Sequence, residues 1–119
     1  MSLSEEEAKK LVEGLPHWQG MITREQAETI LNGKAPGTYI LRKDPDGFDD
    51  EILLENTEAN FVFVIAVAEK GRVVEHFLFN TERGWVWPKD EPRFENCHAY
   101  KSIKTLIESI VSIPKHRVA

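Results

Sequence analysis

The chain has 119 residues, 41% of them hydrophobic, and a formal net charge of −5. That length carries one compact domain with its own core and is too short for two ordinary ones. Excess negative charge argues against a nonspecific nucleic-acid binder or a membrane-surface protein, since both depend on a surplus of Lys and Arg, so any bound anion must be held by a few local groups.

Taken in order, Ser4 and Glu7 have the spacing of a capping box, Leu3, Leu11 and Val12 form a narrow apolar stripe, and Gly14 with Pro16 supplies a stop. This predicts a short helix within residues 1–15. Thr23 and Gln26 repeat the capping-box spacing, and Ile22, Ala27, Ile30 and Leu31 fall on one side before Gly33, which predicts a second helix. From Thr38 to Arg42, Phe61 to Ala68, Arg72 to Phe79 and Gly84 to Trp87 the chain is rich in Val, Ile, Phe, Tyr and Trp, and "EKGR" joins the middle two runs as a tight hairpin. Ser102 then caps a last helix in which Ile103, Leu106, Ile107, Ile110 and Val111 recur at helical spacing. The expected class is α+β: a central antiparallel sheet flanked by one helix on each face, plus the short N-terminal helix.

Two loops interrupt this plan. Asp44 to Asn60 holds seven carboxylates and no Lys or Arg, and Pro88 to Ala99 reads "PKDEPRFENCHA". Loops of this length are where function is expected to sit. The single cysteine, Cys97, cannot form an internal disulfide and fits a reducing compartment. With His98 it lacks a second ligand pair at zinc spacing, and no base and orienting acid can be assigned beside it. The apolar run "FVFVIAVA" is far short of a membrane span, and the acidic start lacks the regions of a signal peptide, so the expectation is a soluble, cytoplasmic domain without cofactor or metal.

One residue stands apart. In "GTYILRK" a single guanidinium, Arg42, ends a strand of buried character, and a buried Arg demands an anion. On local sequence alone the simplest partner is a carboxylate of the following loop.

The stretch "HWQGMITREQAETILNGKAPGTYILRK" resembles the first half of a Src homology 2 (SH2) domain, with its aromatic-x-Gly start, its Ile-Thr-Arg lead into the first helix and its Gly-Thr-Tyr strand ending in arginine. "VVEHFLF", "GWVW" and "AYKSIKTLIESIV" are similar to the same family's His-bearing strand, the short strand after it and the second helix. The resemblance places the domain at residues 16–113, with residues 1–15 as a helical extension and 114–119 as a tail.

What the resemblance implies is a phosphotyrosine-binding module without catalysis, an adaptor in signal transduction whose partner is a tyrosine-phosphorylated peptide or protein. Arg42 matches the arginine that holds two phosphate oxygens through its planar fork and stands unpaired in the free protein. Arg24 matches the second arginine that reaches the phosphate, and His76 matches the histidine that braces the pocket. Lys43, Asp44 and backbone amides of the next loop would complete the cradle, with the acidic part pointing away and Ile52, Leu53 and Leu54 packed on the body. Phe77, Leu78, Phe94 and Tyr100 are the candidates for the peptide groove, Phe94 either clamping that groove or plugging it.

The departures are specific. Asp44 stands where the family commonly has a Ser or Thr donor, Leu78 stands where a Lys or Arg is frequent, and the loop after Arg42 is longer and more acidic. The family's tryptophan falls at His17, with Trp18 one place later and still expected to pack between sheet and helix. Long loops of this kind are also compatible with a bacterial effector acting in a host cytosol. The alternative to the phosphotyrosine module is an SH2-like domain that binds a partner independently of phosphate. A monomer is expected in either case.

Overall fold

The computed structural model describes residues 4–45, 59–87 and 98–117, with side chains through residue 111 in the last segment. Within them lie helix α1 (Glu5–Glu13), strand β1 (Trp18–Met21), helix α2 (Arg24–Leu31), strands β2 (Tyr39–Lys43), β3 (Ala59–Glu69), β4 (Arg72–Thr81), β5 (Gly84–Val86) and β6 (Ala99–Tyr100), and helix α3 (Ile103–Arg117). The six strands form one sheet in chain order.

Both predicted capping boxes are present. Ser4 Oγ accepts from the Glu7 amide while Glu7 accepts from the Ser4 amide, and Thr23 and Gln26 do the same at the start of α2. Each reciprocal pair satisfies two of the amide donors that a helix start leaves open. Glu7 is held below the ordinary carboxylate range by the hydrogen bonds from the Ser4 backbone and side chain.

The β3–β4 hairpin is the spine of the sheet. Its register runs from Glu69 opposite Arg72 to Ala59 opposite Thr81. The two-residue turn uses Gly71 at φ 71°, a left-handed conformation that glycine adopts without a steric cost. β2 pairs antiparallel with β3, placing Arg42 opposite Val64 and Ile40 opposite Ala66.

β1 departs from the antiparallel expectation, because it runs parallel to β2. The parallel pairing is what the β1-α2-β2 connection requires, since two parallel neighbours need a crossover and here α2 provides it. Gly20, at φ 81°, sits where the β1 register slips.

The sheet separates two layers of packing. On one face, Leu41, Phe61, Phe63, Ile65, Val67, Leu78 and Trp85 meet Ile103, Leu106, Ile107 and Ile110 of α3 together with Ala8 and Val12 of α1. Trp18 packs against this cluster, as expected. On the other face, Ile40, Ala66 and Ala68 meet Ala27 and Leu31 of α2. Helices α2 and α3 thus lie on opposite faces of the sheet, and α1 shares the face of α3.

Two stripe positions read from the sequence lie outward instead: Leu11 is 44% exposed and Ile30 38% exposed. Ala8 is the buried residue of α1 beside Val12, because the small side chain lets the helix approach the sheet closely. The last helix continues through Pro114 to Arg117, beyond the point where the sequence suggested a tail.

Candidate functional site

Arg42 is 4% exposed, near the end of β2, with its side chain on the α2 face of the sheet. Its Nε donates to Glu75 Oε2 at 2.7 Å, its Nη2 to Glu75 Oε1 at 2.9 Å and its Nη1 to the Ile22 carbonyl at 3.1 Å. The first two bonds form the bidentate fork that a guanidinium makes with a carboxylate or a phosphate. Arg42 is therefore paired from within, contrary to the expectation of an unpaired arginine. The carboxylate that takes the fork is Glu75 of β4.

The register explains the pairing. Glu75 lies opposite Ala66 and Ala66 opposite Ile40, while Arg42 lies opposite Val64, so Glu75 is the diagonal neighbour of Arg42 across β3 on the same face. The small side chain of Ala66 between them leaves the gap free for the fork.

Arg24, the first residue of α2, converges on the same carboxylate. Its Nε is 3.9 Å from Glu75 Oε1 and 3.5 Å from Glu28 Oε2, and its side chain is 62% exposed. Arg42 and Arg24 thus meet around one anionic group, the first buried and the second exposed at the surface.

The remaining predicted residues are dispersed. His76 is opposite Ile65, on the face of α1 and α3, where its ring meets Trp87 edge-on at 4.9 Å between centroids. It therefore does not wall the Arg42 site. Glu75, one residue earlier, faces Arg42 instead, because one residue along a strand exchanges faces. Lys43 points away as well, its Nζ donating to the Val62 carbonyl at 2.9 Å and lying 4.9 Å from the centroid of the Phe61 ring. Asp44 is partly buried at the end of β2.

Phe77, opposite Val64, shares the face of Arg42 and packs beside Val62 and Phe79. Leu78 is fully buried under α3, so it belongs to the core and offers no groove surface. Tyr100 lies on β6 with its hydroxyl 3.2 Å from Ser109 Oγ and its ring edge-on to His98. The acidic stretch from Asp46, the packing of Ile52, Leu53 and Leu54, Cys97 and the role of Phe94 lie outside the described residues.

An open groove of about 1260 Å³ runs between α2 and the β3–β4 hairpin, lined among others by Arg24, Glu28, Leu31, Arg72, Val73 and Glu75. Glu75 thus faces Arg42 on one side and this groove on the other. Among the described residues no helix is long and apolar enough to cross a membrane, and no three His, Cys, Asp or Glu side chains cluster as metal ligands.

Neither a protein-family profile nor a curated protein sequence matches the chain. Solved structures do. The solution structure of the SH2 domain of a CRK/CRKL homologue from Monosiga brevicollis is similar with a TM-score of 0.52 at 18% identity, over 78% of this chain and 70% of that one. The SH2 domain of the human proto-oncogene protein VAV1 matches with a TM-score of 0.48 at 19% identity, over 82% of this chain and 62% of that one. The chain has the SH2-like fold, an α+β domain with helices flanking a central sheet.

Proposed function

We propose that this domain is a phosphotyrosine-peptide binding module in which Arg42 holds the phosphate bidentately and Arg24 closes on it from the start of α2. The observation that carries this reading is the convergence of both arginines on one carboxylate in an SH2-like fold. The Glu75 carboxylate, held by Arg42 and 3.9 Å from Arg24, supports an anion site between them. A phosphotyrosine brings roughly −1.5 to −2 charges and three acceptor oxygens, so it can take the two bonds of the Arg42 fork and still face Arg24. The module acts by bringing a tyrosine-phosphorylated protein to its own chain, in the cytoplasm and as a monomer, and it carries no catalysis.

The testing experiment is titration of a degenerate phosphotyrosine peptide pool, with the unphosphorylated pool as control, against the wild type and Arg42→Ala. Loss of the anchor should weaken binding by about 2 to 5 kcal/mol, well over tenfold. Binding indifferent to both the phosphate and Arg42 sinks this reading.

A second reading has its own support. The Arg42 fork is already satisfied by Glu75, and Lys43 is directed elsewhere, which suits a domain that kept the fold and binds a partner without phosphate. In that case the unphosphorylated pool binds as well as the phosphorylated one.

A further inference from the structure

We propose that Glu75 is a resident competitor of the ligand: its carboxylate occupies the phosphate position between Arg42 and Arg24 in the free protein, and recognition is an exchange of one anion for the other. This rests on the phosphotyrosine reading of the site. Glu75 takes Nε and Nη2 of Arg42 at 2.7 and 2.9 Å, the same parallel pair of donors that a phosphate needs. With Arg42 only 4% exposed, a ligand cannot share that fork and must displace the carboxylate.

The geometry provides for displacement. The Glu75 side chain is 14% exposed and borders the open groove beside α2, so it has a route outward, whereas Arg42 is also fastened to the Ile22 carbonyl and stays in place. Arg24, 62% exposed and 3.9 Å from Glu75 Oε1, has room at the surface to turn toward the incoming anion. A phosphoryl group nearer two charges than one gains more from the two arginines than the single negative charge it replaces. The cost of expelling Glu75 lowers the apparent affinity for every anion, because the binding-competent state is populated only in part. That uniform cost leaves weakly held anions, such as the carboxylate side chains of unmodified peptides, too weak to open the site.

The test is calorimetric titration of the degenerate phosphotyrosine peptide pool, and of phenyl phosphate as the minimal probe, against wild type, Glu75→Gln, Glu75→Asp, Arg42→Ala and the Glu75→Gln/Arg42→Ala double variant. Gln keeps the shape and one acceptor while removing the charge. It should tighten binding by about tenfold, the difference between a charge-assisted and a neutral hydrogen-bonded pair. Asp, too short to hold the fork from the same backbone position, should tighten it in the same direction, and serves alone if Gln fails to fold. Either gain should vanish in the Arg42→Ala background. The ¹³C signal of the Glu75 carboxylate should move as phenyl phosphate is added to the wild type.

Phosphate-dependent binding through Arg42 that neither Glu75 variant strengthens, with an unmoved carboxylate signal, overturns the exchange and leaves the phosphotyrosine reading standing. If folded wild type and folded Glu75 variants all ignore the phosphate, the phosphotyrosine reading falls and the exchange with it.

Discussion

His76 and Trp87 meet edge-on at 4.9 Å between ring centroids, on the sheet face opposite Arg42. A histidine there braces the larger core and cannot reach a ligand held by Arg42. His76→Ala should therefore leave phosphotyrosine-peptide affinity within twofold of the wild type, while lowering stability by about 1 kcal/mol, the worth of one ring pair. Peptide titration and urea unfolding on the same preparation separate the two effects. A large loss of affinity with unchanged stability would return His76 to the pocket.

The Arg42–Glu75 pair makes a second prediction, on stability alone. Removing one member of a buried ion pair leaves an uncompensated charge and typically costs 3 to 5 kcal/mol, while replacing both by apolar groups of similar volume is often neutral. Because Glu75 retains some exposure, Arg42→Met should cost about 3 kcal/mol, and Arg42→Met with Glu75→Met should recover most of it. Urea midpoints of the wild type, both single variants and the double variant close the cycle. Single losses that simply add would mean that the two side chains do not depend on each other.

What could be read from the sequence follows from how locally each feature is determined. Helix α3 was legible because Ile103, Leu106, Ile107 and Ile110 repeat on one stripe and all four are buried, and the hairpin because Lys70 and Gly71 admit only a tight turn. β1 was not legible. It has four residues, is broken by Gly20 and exists because β2 offers it a free edge, so its cause lies elsewhere in the chain. In α1, Leu11 attracted the hydrophobic reading while Ala8, too small to mark a stripe, makes the contact.

The site divides in the same manner. Arg42 drew notice as a guanidinium ending a strand of buried character, whereas Arg24 entered through the resemblance of the stretch that leads into α2. Glu75 was missed because the dense carboxylates after Lys43 are nearer in sequence, whereas its place beside Arg42 follows from the combined register of β2, β3 and β4. The tight β3–β4 turn fixes half of that register from sequence. The long connection between β2 and β3 hides the other half, and with it which of Glu75 and His76 faces the arginine.

Gly84 supplies a third prediction. Its φ is 132°, and a Cβ placed on it would lie 2.4 Å from the Tyr100 carbonyl oxygen, so both the backbone conformation and the space require glycine. β6 is paired to β5 at this point, with Trp85 opposite Tyr100. Gly84→Ala should cost about 2 to 4 kcal/mol, combining strain at the left-handed φ with overpacking against backbone. Hydrogen exchange should show the loss first in the amides of β5 and β6, and a variant as stable as the wild type would contradict the close approach.

Tyr39 gives the pH dependence. Its hydroxyl is pushed above the ordinary value of 10.0, first by burial, which disfavours the phenolate, and then by the negative charge of Glu108. A group whose pKa is raised by folding binds its proton more tightly in the native state. Its contribution is fully present below the unfolded-state pKa near 10 and is lost as pH rises through the higher folded-state value. The Tyr39 contribution should therefore not vary with pH near neutrality, and stability should decline in alkali above about pH 10. Tyr39→Phe should flatten that alkaline decline, and Glu108→Gln should reduce it by a smaller amount, in line with the order of the two causes. Urea midpoints measured from pH 8 to pH 11 on the three proteins make the comparison, and equal alkaline slopes for wild type and Tyr39→Phe would show that Tyr39 ionises alike in both states.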